Sequence, residues 1–209
     1  MADVPLELDA VLEGRLARAL DVEGKIPRTL ESLGPVSGRD VVLVDGDASA
    51  SEGIRARQLR ELDARLTVSG WGDPPRSDVP DASADVVISC WTAFRGADRA
   101  ELDEAGRILR PGGRLLAVHD YGRDDVSRIL GERPEYTTWS HRDGPFLTQG
   151  FKIRVVHCFW TFESIEDGRD FLDAAFGAVG RAVGADMTRP RLTYNLAVYH
   201  RTFGGPSGA

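Results

Sequence analysis

The chain has 209 residues, 42% of them hydrophobic and 28% charged, with a net charge of −7. That length supports one domain with a core of its own, and the composition excludes a disordered, collagen-like or mucin-like bulk. The acidic balance disfavours a dedicated nucleic-acid binder. Two cysteines, Cys90 and Cys158, are too few for a disulfide framework or a zinc cluster and fit a reducing cytoplasm. No apolar run is long enough for a membrane-spanning helix, and Met1 to Pro5 lack the basic and apolar segments of a secretory leader.

In chain order, Leu8, Val11, Leu12, Leu16 and Leu20 recur at helical spacing and predict an amphipathic helix over 6–21. A second helix is predicted from Pro27 to Leu33, with proline in its first turn and Gly34 just past its end. Val41 to Val44 is a β-branched run without polar alternation, the pattern of a strand buried on both faces. A helix over 51–63, with Ser49 or Ser51 as cap, and a short strand from Leu66 to Ser69 follow. Pro74-Pro75 and Val79-Pro80 mark an irregular segment. Asp85 to Ser89 reads as a strand, 97–110 as a helix ended by Pro111-Gly112-Gly113, and Arg114 to Val118 as a strand. The final third predicts a long strand from Ile153 to Phe162, a helix from Ser164 to about Val183 and a last strand from Leu192 to His200. The organisation read from this is N-terminal helices over 1–34, an α/β domain over 35–203 and a tail over 204–209.

Strands that alternate with helices predict parallel strands joined by right-handed crossovers, hence a doubly wound α/β sheet. In such sheets ligands bind outside the carboxyl ends of the strands. The candidate positions are therefore Asp45 to Ser49, Ser69 to Asp73, Ser89 to Thr92 and His119 to Gly122.

The order of these segments, and above all DASADVVISCWTAFRGADRAELDEAGRILRPGGRLLAV from Asp81 to Val118, resembles the class I S-adenosylmethionine-dependent methyltransferases. The resemblance spans roughly residues 27–203. It implies a Rossmann-like methyltransferase fold with a mostly parallel sheet and an antiparallel last strand. Between the first strand and the Asp85 strand there is room for only one of the family's two strand–helix units, and Leu66 to Ser69 is read as the later of the two.

The resemblance also implies a site. The turn after the first strand would receive the cofactor's amino-acid part at Asp45, Gly46, Asp47 and Ser49. Of the family's alternating glycines only Gly46 survives, and Val44 stands at its usual acidic position. Gly72 and Asp73 match the motif that accepts the adenine amine, with Trp71 over the ring, and Ser89, Cys90 and Trp91 complete the cofactor wall. His119, Asp120 and Tyr121 fall on the methyl-acceptor side, with His119 as general base and Asp120 as its orienter. No metal is implied. The expected activity is transfer of a methyl group from S-adenosylmethionine to a small molecule. The alternative is a non-catalytic descendant that serves as an interaction or dimerisation module. Each feature also has a plain structural reading: Gly46 as a strand-to-helix turn, Asp73 as a loop residue, the cysteines as buried hydrophobes.

Overall fold

The computed structural model describes residues 4–45 and 53–204. Helices α1 (Ala10–Ala19) and α2 (Lys25–Leu33) lead into β1 (Asp40–Val44). Then come α3 (Ile54–Glu61), β2 (Arg65–Ser69), β3 (Ala84–Cys90), α4 (Arg99–Ile108) and β4 (Leu109–Asp120). Short helices α5 (Asp125–Leu130), α6 (Pro134–Thr137) and α7 (Pro145–Thr148) precede β5 (Lys152–Thr161), α8 (Ile165–Ala185) and β6 (Arg191–Thr202). The strands form one sheet in the order β2-β1-β3-β4-β6-β5, in which β2, β1, β3 and β4 are mutually parallel and β6 runs antiparallel to both its neighbours.

Alternation along the strands sorts the core into two layers. Val41, Leu43, Val86, Ile88, Leu116 and Val118 face one cluster, filled by Leu16 of α1, Ile26 and Leu30 of α2, Leu59 of α3, Val126 of α5 and Phe171 of α8. Val42, Val44, Val87, Leu115 and Ala117 face the other, filled by Leu102 and Ile108 of α4 with Trp139 and Phe146. The first two helices thus share the main core; Leu20 even bridges to Trp160 of β5. Their starts are fixed by carboxylates. Asp9 accepts from the Val11 and Leu12 amides at 2.9 and 3.0 Å, and Asp21 from the Lys25 and Ile26 amides at 2.8 and 2.7 Å.

The single strand between β1 and β3 lies directly beside β1 and forms an edge of the sheet among the described residues. Among the described residues no strand stands between β2 and β1 and none lies beyond β2. A groove of about 780 Å³ remains open along the β1–β2 face, bounded by Thr67, Ser69, Val79 and Pro80. The returning segment is held to α4 by Glu104, which accepts from the Ser77 amide at 2.8 Å and hydroxyl at 2.9 Å. The Arg107 guanidinium lies 2.6 Å from the same carboxylate and holds it down to a pKa of about 2.

Two expectations change. Pro111-Gly112-Gly113 does not end a helix: α4 stops at Ile108 and the three residues lie inside β4. There the Gly112 amide donates to the Phe203 carbonyl at 2.7 Å, and a Cβ on Gly113 would sit 2.8 Å from the Arg110 carbonyl oxygen. The last helix is in fact a helical hairpin. At Gly177 the backbone turns through φ 58, ψ −128, outside the range open to other residues, and the second arm folds back on the first. Arg169 Nε donates to the Gly184 carbonyl at 2.9 Å across the arms, and Arg181 pairs with Asp173. Gly180 packs so tightly on the first arm that a Cβ would overlap the Leu172 carbonyl.

Candidate functional site

From β1 the chain passes to β2 on one side, whereas β3 leads to β4 on the other. The order reverses between β1 and β3, so the crevice at their carboxyl ends is where this kind of sheet receives a ligand. Asp45 stands there, 1% exposed, its amide donating to the Ser69 carbonyl at 3.0 Å. Gly46, Asp47 and Ser49 lie outside the described residues.

The β3 end is built by hydroxyls. Ser89 is wholly buried; its Oγ accepts from the Ala93 amide at 2.9 Å and lies 3.1 Å from Thr92 Oγ1. Thr92 Oγ1 donates in turn to the Val44 carbonyl at 2.8 Å, so the turn after β3 is stitched to the end of β1. Cys90 is buried against the main core. Trp91 follows at φ 62, a left-handed conformation rare for a bulky residue. Arg55 of α3, also buried, holds its guanidinium 5.7 Å from the Trp91 ring centre.

At the end of β2, Trp71 stands edge-on against Phe94, with ring centres 4.8 Å apart. The structure therefore places its ring on the second core layer. Gly72 and Asp73 are exposed, and the Gly72 amide closes a turn on the Arg76 carbonyl at 3.1 Å.

At the end of β4, His119 and Asp120 do not form a pair. Adjacent strand residues point to opposite faces, and these two enter different layers. His119 is sealed among aromatic rings: Trp139 at 5.0 Å, Phe146 at 6.0 Å and Tyr199 at 6.4 Å between ring centres. Neither ring nitrogen has a hydrogen-bond partner of good geometry, although the Ala93 and Phe94 backbones lie close enough to favour the charged form. Burial, helped by the nearby Arg95 guanidinium, pushes the imidazole down to about 3, so the ring is neutral. The expected pairing of His119 as base with Asp120 as orienter is corrected accordingly. Tyr121 lies half-buried on the His119 side, with the Arg123 guanidinium 5.7 Å from its ring centre.

Asp120 is a hub on the other face. Its Oδ1 accepts from Trp91 Nε1 at 3.0 Å and from the Tyr194 hydroxyl, and Oδ2 from the Tyr136 hydroxyl at 3.3 Å. Burial raises its carboxyl to about 6 against the opposing pull of Tyr194, Arg133 and Tyr136. The same burial lifts both phenols well above their ordinary range. Tyr136 rests on the backbone of Gly122, where a Cβ would sit 2.7 Å from its ring. Arg95 pairs with buried Glu135 beside it, so α6 is clamped over the β4 end from two sides.

The structure thus brings Asp45, Ser89, Trp91 and Asp120 to one rim, with Arg55, Thr92, Tyr136 and Tyr194 beside them. Thr92 was among the strand-end candidates, whereas Arg55, Tyr136 and Tyr194 were not. Only Tyr194 left a signal, as a polar-tipped aromatic inside a predicted buried strand. Among the described residues no His, Cys, Asp and Glu cluster suits a metal ion, and no helix is long and apolar enough to cross a membrane.

No protein-family model matches the chain, and no curated protein matches it in sequence. Solved structures do match in shape. A candidate type II methyltransferase from Anaeromyxobacter dehalogenans superposes with a TM-score of 0.53 at 18% identity, over 84% of this chain and 95% of that one. A SAM-dependent methyltransferase from Aquifex aeolicus gives 0.51 at 14% identity, over 93% and 98%. With six strands in this order and these neighbours, the chain has the fold of the class I S-adenosylmethionine-dependent methyltransferases.

Proposed function

We propose that the chain is a methyltransferase that binds S-adenosylmethionine at the β1–β3 crevice and methylates a small molecule held toward the end of β4. The observation that carries the reading is the buried carboxylate of Asp45 at the point where strand order reverses. A carboxylate there suits a ligand with an ammonium group and a cationic sulfur. Asp45, with Gly46, Asp47 and Ser49 next to it in the sequence, would hold the amino-acid part. Gly72 and Asp73 would meet the adenine edge, with Trp71 behind them through its contact with Phe94. Ser89, Cys90 and Trp91 would form the back wall, kept in shape by the Thr92 link to β1.

When bound, the cofactor supplies an activated methyl group whose transfer needs little beyond alignment. Accordingly the reading assigns no proton transfer to His119, which is buried and neutral. Asp120 fixes the rim through Trp91, and Tyr121 borders the acceptor side. Cys90 and Cys158 are buried and joined in no disulfide, which suits work in the cytoplasm.

The open β2 edge and the shortened sheet favour a second reading, a non-catalytic module that pairs with another copy. Crystals grown with S-adenosylhomocysteine decide between the two. Ligand density between Asp45 and Trp91 supports the enzyme. Side chains filling that crevice in a well-ordered crystal leave only the fold.

A further inference from the structure

A second cavity lies on the same rim of the sheet but at its other side. It holds about 510 Å³ between α5, the end of α8 and the start of β6, within the range of small-molecule pockets. Because neighbouring strands are about 4.8 Å apart, β6 and β5 stand roughly 14 and 19 Å from β1. The cavity is therefore separate from the β1–β3 crevice.

Its floor is apolar: Phe159 of β5, and Met187 and Leu192, which are 7% and 4% exposed. Its walls carry guanidinium groups on Arg128, Arg189 and Arg191. The Arg191 guanidinium is held 4.5 Å over the Phe159 ring centre, pointing its charge across the floor. Among the described residues, no hydrogen bond or ion pair engages the exposed Arg189.

Two carboxylates share the cavity. Asp125 is occupied, accepting from the Thr193 amide at 2.9 Å and hydroxyl at 2.6 Å and facing Arg128 at 3.4 Å. That leaves Asp186, at the end of α8, against the arginines. The local surface is thus cationic on a chain whose net charge is −7. Guanidinium groups match the flat, two-oxygen face of a carboxylate or phosphate, while the floor asks for hydrocarbon.

We propose that this cavity is a second ligand site, for a small molecule that joins a carboxylate or phosphate head to an apolar body. It goes beyond the methyltransferase reading and does not depend on it.

The test is calorimetric titration of the full chain with octanoate, octyl phosphate and, as the uncharged control, octanol. Both acids are expected to bind at least tenfold more tightly than octanol, and to weaken when salt rises from about 0.05 to 0.5 M. The stronger of the two acids identifies the head group. Arg189→Glu, at an exposed position, is expected to cost the acids at least tenfold and to leave octanol and the melting temperature unchanged. Arg191→Gln, which also weakens the acids, serves should the reversal disturb folding. Octanol binding as tightly as the acids, no binding of either acid, or acid binding indifferent to both variants overturns the proposal.

Discussion

Trp91 Nε1 donates to Asp120 Oδ1 at 3.0 Å, and this bond ties the end of β3 to the end of β4. The same carboxylate also receives Tyr194 from β6 and Tyr136 from α6. Four elements therefore meet on one buried side chain, and Trp91 keeps its left-handed backbone within that frame.

Asp120→Ala leaves three donors without an acceptor. Each orphaned buried group costs about 1–3 kcal/mol, so urea unfolding is expected to show a loss on the order of 4 kcal/mol. Asp120→Asn, which retains one acceptor oxygen, is expected to lose less. Equal stability of both variants and the wild type would refute the hub.

Asp120 and His119 also give opposite pH dependences. Folded Asp120 keeps its proton to about pH 6, whereas the unfolded chain releases it near 3.8. The folded state then binds more protons, so this group's contribution falls as pH rises from about 4 to 6, by roughly 3 kcal/mol. Folded His119 stays neutral down to about 3, against 6.5 when unfolded. Its contribution is complete above pH 6.5 and is lost as pH falls toward 3, on the order of 5 kcal/mol. In the wild type the two trends oppose each other between pH 4 and 6. Asp120→Asn is expected to leave stability rising with pH across that window; a flat profile contradicts the assignment.

His119→Phe keeps an aromatic ring among Trp139, Phe146 and Tyr199. At pH 7 its stability is expected to stay within about 1.5 kcal/mol of wild type, and at pH 5 to exceed it. Once an acceptor is found, kcat should change less than tenfold. A loss of about 100-fold or more would return His119 to the role of base.

Gly180→Ala drives a methyl group into the Leu172 carbonyl. The hairpin of α8 must then open, and thermal unfolding is expected to show a loss of about 3 kcal/mol or more. Hydrogen exchange should localise the loosening to 165–185. Protection unchanged there would mean that the two arms do not pack as described.

The strands around β1, β3 and β4 were legible because short apolar runs buried on both faces have few alternatives. The shortage of one unit was legible too, from the chain available between Val44 and Asp85. Where β2 sits was not, since only pairing shows that it lies beside β1. The hairpin in α8 was hidden because both arms continue one apolar spacing; Gly177 and Gly180 were visible only as glycines. At the site, strand ends located Asp45, Ser89, Trp91 and Asp120. What spacing could not show was the face each residue takes, and so the separation of His119 from Asp120. Tyr136 and Tyr194 reach the rim from chain segments 16 and 74 residues away from Asp120.

Calorimetric titration with S-adenosylhomocysteine tests the central reading most directly. The predicted result is one-site binding with Kd on the order of 10 μM, weakened at least tenfold in Asp45→Ala and in the exposed variant Asp73→Ala, and retained in His119→Phe. No heat from folded wild-type protein at about 1 mM ligand, or binding indifferent to both aspartate variants, would contradict it.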